Sequence, residues 1–332
     1  MNRPIAAAWI ALLLQSAGTA AFADHQVGHT QPVGPAAREF AADFPELADS
    51  EWGFPIGGFG GTAQGEAPDH VPVIFVHGNN VDACDWKLVR DDFRAADWSD
   101  QSLWALSYNG LGNNVGNEPS RPDPRCNEEH AARNGGDSAS RITANDINVA
   151  DLHAFIGAVR AYTGSPRFSI VAHSLGVTVA RKTLKDHPEL RQDLVAFVAI
   201  AGANHGTSLC PPGSAGVVHS CDEISPGSAW LEALNGADGN DETYAPAKWL
   251  TIYDGSGAGD VAYTPDVAQS PALKGADNRQ FPGTSHNALR VNAEIVAEYR
   301  RFLEEAEAGA AGSGGGGAVS LWLLGLVGGA RL

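Results

Sequence analysis

The stretch Arg167-Phe168-Ser169-Ile170-Val171-Ala172-His173-Ser174-Leu175-Gly176-Val177-Thr178-Val179-Ala180 changes character in mid-course. Up to Ala172 it reads as a strand. From Leu175 to about His187 it reads as a helix. The pentapeptide Ala172-His173-Ser174-Leu175-Gly176 therefore sits where a strand stops and a helix starts. A sharp turn there exposes the serine hydroxyl above the sheet and aims a helix N-terminus at it. Strand and helix backbones pass close together at such a turn, so its flanking residues must be small. Gly176 meets this on one side, and Ala172 stands on the other where Gly is usual.

Working outward, the same alternation continues in both directions. Val71–Val76 and Ser102–Tyr108 are strand candidates, and Leu152, Phe155, Ile156, Val159 and Tyr162 mark one face of a helix that Gly164 stops. Leu194–Ala201 and Lys248–Tyr253 supply two more strands, and Val291, Ile295, Tyr299, Phe302 and Leu303 a closing helix. Alternation of this kind predicts an α/β fold with a mostly parallel sheet flanked by helices. The catalytic domain is expected over residues 71–305. Residues 24–70 read as an irregular arm, because Gly57-Gly58-Phe59-Gly60-Gly61 carries too many glycines for a regular element.

A nucleophilic serine needs a base and donors for a developing oxyanion. His77-Gly78-Asn79-Asn80 follows the first strand directly, so the backbone N–H groups of Asn79 and Leu175 are the expected donors. The acid and base should follow the serine in the order carboxylate, then histidine. His286, just before the final helix, is the expected base. The loop after Lys248–Tyr253 offers two acids, of which Asp260 is preferred and Asp254 is second choice. His77, His173 and His205 read as structural, and His25, His70, His130, His153, His187 and His219 have no supporting pattern. Two long segments, 109–141 and 204–248, are expected to overhang the serine as caps. In the second, Ser228–Leu234 is patterned as a short helix whose Trp230 and Leu231 either meet substrate or pack the cap.

The chain has 332 residues and a net charge of -17, with 22 Lys plus Arg against 39 Asp plus Glu. Such acidity disfavours nucleic acid as a partner. There is no H-E-x-x-H, no Cys-x-x-Cys and no phosphate loop, so no metal site and no cofactor are expected, with a structural Ca²⁺ left open. Arg3, the apolar stretch Ile5–Leu14 and Ala21-Phe22-Ala23 read in order as a secretory signal over residues 1–23. Export permits disulfides. Cys210 with Cys221 and Cys84 with Cys126 are preferred, although four cysteines leave three pairings open.

Val73-Ile74-Phe75-Val76-His77-Gly78-Asn79, Ser107-Tyr108, Ile170–Gly176 and Gly283-Thr284-Ser285-His286 together resemble the bacterial class 2 lipases of the α/β-hydrolase superfamily. The resemblance covers most of Val71 to Leu303. It implies hydrolysis of carboxylic esters through an acyl-enzyme, with Ser174, Asp260 and His286 as the triad and no cofactor. The A-H-S-x-G turn is also similar to that of secreted polyhydroxybutyrate depolymerases, which leaves a polyester as the alternative substrate. A catalytically silent surface binding protein on the same scaffold is the reading from another class. Residues 306–332, with the glycine run Gly309–Gly317, the apolar stretch Ala318–Ala330 and Arg331, resemble a GlyGly-CTERM sorting tail. That tail implies display at a bacterial cell surface or secretion, with transient membrane association on the way.

Overall fold

The computed structural model describes residues 38–48, 50, 55–78, 82–107, 146–210 and 219–313. The expected signal region 1–23, the whole of segment 109–141 and the residues beyond 313 lie outside the described residues. The strands are β1 (Arg38–Phe40), β2 (Gly57–Gly60), β3 (Val73–Val76), β4 (Leu103–Ser107), β5 (Phe168–His173), β6 (Leu194–Ile200), β7 (Lys248–Tyr253) and β8 (Asp277–Gln280). The helices are α1 (Lys87–Arg94), α2 (Asp146–Thr163), α3 (Leu175–Asp186), α4 (His219–Ile224), α5 (Ala229–Asn235), α6 (Ala288–Val291) and α7 (Ala293–Ser313). Among the described residues one sheet forms, in the order β1-β2-β4-β3-β5-β6-β7-β8. Every pairing is parallel except β2 with β4.

Side chains alternate across a strand, so a continuous apolar run buries both of its faces. Ile74, Val76, Ile170 and Ala172 face one core with Leu152, Phe155, Ile156 and Val159 of α2 and Val177 and Leu184 of α3. Val73, Phe75 and Val171 face the other core, with Val89 and Phe93 of α1 and Ile295, Tyr299 and Leu303 of α7. This is the α/β-hydrolase architecture, and its central strands are those the hydrophobic pattern predicts.

Three elements depart from expectation. The glycine run held to be irregular is β2, with all four residues buried. Its glycines are a steric requirement. A Cβ on Gly58 would lie 2.0 Å from Ala105 O, and one on Gly60 would lie 2.6 Å from the Trp104 ring. Both have positive φ, +137° and +141°, which side chains rarely adopt. Glycine here lets β2 lie flush against Trp104 of β4, so the sheet begins before Val71. The closing helix also runs past Glu305 into the glycine-bearing stretch and ends at Ser313, because Ala306 is still buried in the core. Strand β8 (Asp-Asn-Arg-Gln) carries no apolar residue. It is an edge strand, and polar side chains on an edge discourage pairing with other chains.

Candidate active site

Ser174 caps the N-terminus of α3 with φ 56° and ψ -131°, a strained backbone for a side-chain-bearing residue. The strain is held in place from two sides. Ser174 N–H donates to Ile200 O of β6 at 2.8 Å, and Ser174 O accepts from Val177 N at 3.0 Å. Gly176 passes so near β3 that a Cβ there would lie 2.3 Å from His77 O. Gly78 is pressed against the serine in the same way, since its Cβ would lie 2.8 Å from Ser174 Cβ. The loop after β3 therefore starts in contact with the hydroxyl-bearing side chain. Buried His77 donates from Nδ1 to Gly78 O at 2.9 Å and steadies that loop. Asn79 lies outside the described residues, and Leu175 is buried at the first turn of α3.

His286 stands in the loop before α6. Its Nδ1 lies 2.8 Å from Asp260 Oδ2. A carboxylate only accepts, so Nδ1 is the donor, which in the neutral ring leaves the lone pair on Nε2. Asp260 is 1% exposed, and its other oxygen accepts from Ala262 N at 2.9 Å. The imidazole lies over the serine turn, its ring centroid 4.7 Å from that of His173. His173 Nε2 donates to the His286 carbonyl at 3.1 Å, tying the His286 backbone to the residue before Ser174. Among the described residues no hydrogen bond joins the Ser174 hydroxyl to His286. Such contacts are often long in free enzymes and tighten when substrate arrives.

Asp254, the second-choice acid, does not meet His286. Burial raises its pKa, but donors outweigh burial and hold it at about 2: Ser256 Oγ and the backbone N–H groups of Gly283, Gly259 and Asp260. Ala258 N–H also donates to it, at 3.1 Å. It fastens the loop after β7 to Gly283, three residues before His286.

His205 has both ring nitrogens against oxygen acceptors, Ser270 O at 2.8 Å and Glu242 Oε1 at 3.1 Å. Only the protonated ring satisfies both, and the Glu242 bond accordingly raises its pKa. Both of its nitrogens are engaged in these contacts. The cap after β6 rests on the acid loop through Thr207 Oγ1 to Ala262 O at 2.6 Å and Ser208 N to Ala262 O at 3.0 Å. Arg181 of α3, missed in the sequence, supports the cap from below. Wholly buried, it donates to Asn204 Oδ1 at 3.1 Å and Asn235 Oδ1 at 2.8 Å, and burial pulls its pKa down to about 10. Cys210 and Cys221 are disulfide-bonded, and both pack with Leu175, Ala203 and Ile224 beside the serine turn. Cys84 is disulfide-bonded too, whereas Cys126 lies outside the described residues. Leu231 is buried in the cap, with Trp230 half-buried beside it. No helix among the described residues is long and apolar enough to cross a membrane.

The mature form of Bacillus licheniformis lipase BlEst2 superposes with a TM-score of 0.52 at 12% identity, over 74% of this chain and 96% of that one. Aspergillus fumigatus lipase B gives a TM-score of 0.48 at 17% identity, over 71% of this chain, which spans about half (52%) of the fungal protein. No curated protein matches the sequence. The family model described as Lipase (class 2) matches residues 70–134 and 129–257, more than half of the chain, from the first central strand through the serine turn to the acid loop. The chain belongs to the class 2 lipases, carboxylic ester hydrolases of the α/β-hydrolase fold.

Proposed function

We propose that this protein is a secreted serine ester hydrolase whose triad is Ser174, His286 and Asp260. Ser174 Oγ attacks the ester carbonyl while His286 Nε2 takes its proton. The protonated ring then delivers that proton to the departing alcohol, and a water activated by the same nitrogen releases the acid. Asp260 keeps the proton on Nδ1 and stabilises the imidazolium. The N–H groups of Leu175 and Asn79 receive the oxyanion; losing one such donor costs about 3 kcal/mol of transition-state stabilisation. The reaction needs no cofactor. One observation carries this reading: the buried Asp260 carboxylate lies 2.8 Å from Nδ1 of the histidine that covers the strained serine turn.

The test is labelling with a fluorophosphonate probe. The parent protein is expected to label and to hydrolyse tributyrin, while a folded Ser174→Ala variant does neither. Absence of labelling in folded parent protein favours the silent binding protein instead. Clearing of a polyhydroxybutyrate suspension in place of tributyrin moves the substrate to the polyester, the reading favoured by the A-H-S-x-G turn. Export is supported by the N-terminal signal pattern and by disulfide use, and is read out by the protein's appearance outside the cytoplasm with its N-terminus at Asp24.

A further inference from the structure

At the opposite end of α3 from Ser174, about 18 Å away for a helix of this length, lies a cluster that ester chemistry leaves unused. His153 of α2 and His187, the C-cap of α3, stack with ring centroids 3.6 Å apart and planes within 3°. Both turn a nitrogen toward one oxygen of Glu189. His153 Nε2 is 3.4 Å and His187 Nδ1 is 3.5 Å from Glu189 Oε1. One donor atom from each residue thus lies within 4.8 Å of the others. In sequence the first histidine is remote from the other two residues, so the packing of α2 against α3 creates the cluster.

We propose that His153, His187 and Glu189 form a metal site that takes zinc or a similar borderline transition-metal ion and ties α2 to the end of α3. Two imidazole nitrogens and one carboxylate oxygen are a donor set for Zn²⁺, with water completing the tetrahedron. Ca²⁺ and Mg²⁺ want oxygen ligands in larger number and are poorly served here. The backbones beneath the ligands are already fixed, which lowers the cost of assembling them. Leu152 and Ile156 around His153 are fully buried, and Leu190, which ends the turn begun by Pro188, is 2% exposed. Parallel rings aim their lone pairs along parallel lines, so binding tilts the two imidazoles apart. Their side chains, 39% and 29% exposed, with Glu189 at 58%, have room to do so. The ion enters between the two ring nitrogens and Glu189, and the strong negative charge of the chain favours its approach.

The test is zinc titration of metal-free full-length protein by calorimetry, with thermal unfolding in parallel. One equivalent is expected to bind and raise the melting temperature. His153→Ala and His187→Ala should each weaken binding roughly tenfold or more and remove the thermal gain. Calcium should produce neither effect, and ester hydrolysis by the metal-free variants should match the parent. Glu189→Gln, which keeps shape and fold, guards against a histidine variant that fails to fold; it too should bind more weakly. Zinc binding that survives in the His153→Ala/His187→Ala double variant, or no uptake by the parent, overturns the proposal. So does calcium that competes on equal terms.

Discussion

Two aspartates in one loop, six residues apart, have opposite surroundings, and each predicts a different failure. Asp260 meets the imidazole, so Asp260→Asn should lower kcat about 10³–10⁴-fold by favouring the wrong tautomer, with little change in melting temperature. Asp254 meets only loop donors, so Asp254→Asn should instead cost about 1–3 kcal/mol of stability. Its pH signature follows from the sign of its shift. The folded pKa of about 2 lies below the ordinary 3.8. The stabilisation is therefore complete above the ordinary value and fades as pH falls toward 2. Denaturation at a series of acidic pH values should show the gap between parent and Asp254→Asn closing over that window. Only part of this was legible in the sequence. The serine turn is a local signal in contiguous residues. The choice between Asp254 and Asp260 depends on where a glycine-rich loop folds back, and spacing alone does not decide that.

Among the elements, legibility tracked hydrophobicity. Strands β3, β5 and β6 are buried on both faces and announce themselves as apolar runs. Strands β2 and β8 do not, because one is mostly glycine and the other wholly polar. Composition rules read glycine as an interruption, whereas close packing against Trp104 makes it the one residue that fits. Gly58→Ala should therefore cost about 3 kcal/mol or more, since it combines backbone strain with a collision against β4. Urea unfolding with an unchanged m-value would measure it. An alanine tolerated within about 0.5 kcal/mol would mean that β2 does not pack as described.

For the whole molecule, strand–helix alternation is enough to give the fold class, but the linkage between parts is made by side chains that meet only in the folded chain. Fully buried Arg181 and the Cys210–Cys221 bond brace the cap, and neither belongs to the sheet. Reduction should accordingly loosen the cap before the sheet. Hydrogen exchange is expected to rise first in residues 219–235 while β5 and β6 stay protected. Equal loss of protection in both would contradict that order.

Because Thr207 and Ser208 rest on Ala262, two residues beyond Asp260, the roof over the site and the acid beneath it share a footing. Anyone transplanting this roof onto a related hydrolase to alter its ester preference would have to move residues 260–264 with it. A graft cut at the roof's own ends would disturb the Asp260–His286 contact along with the roof.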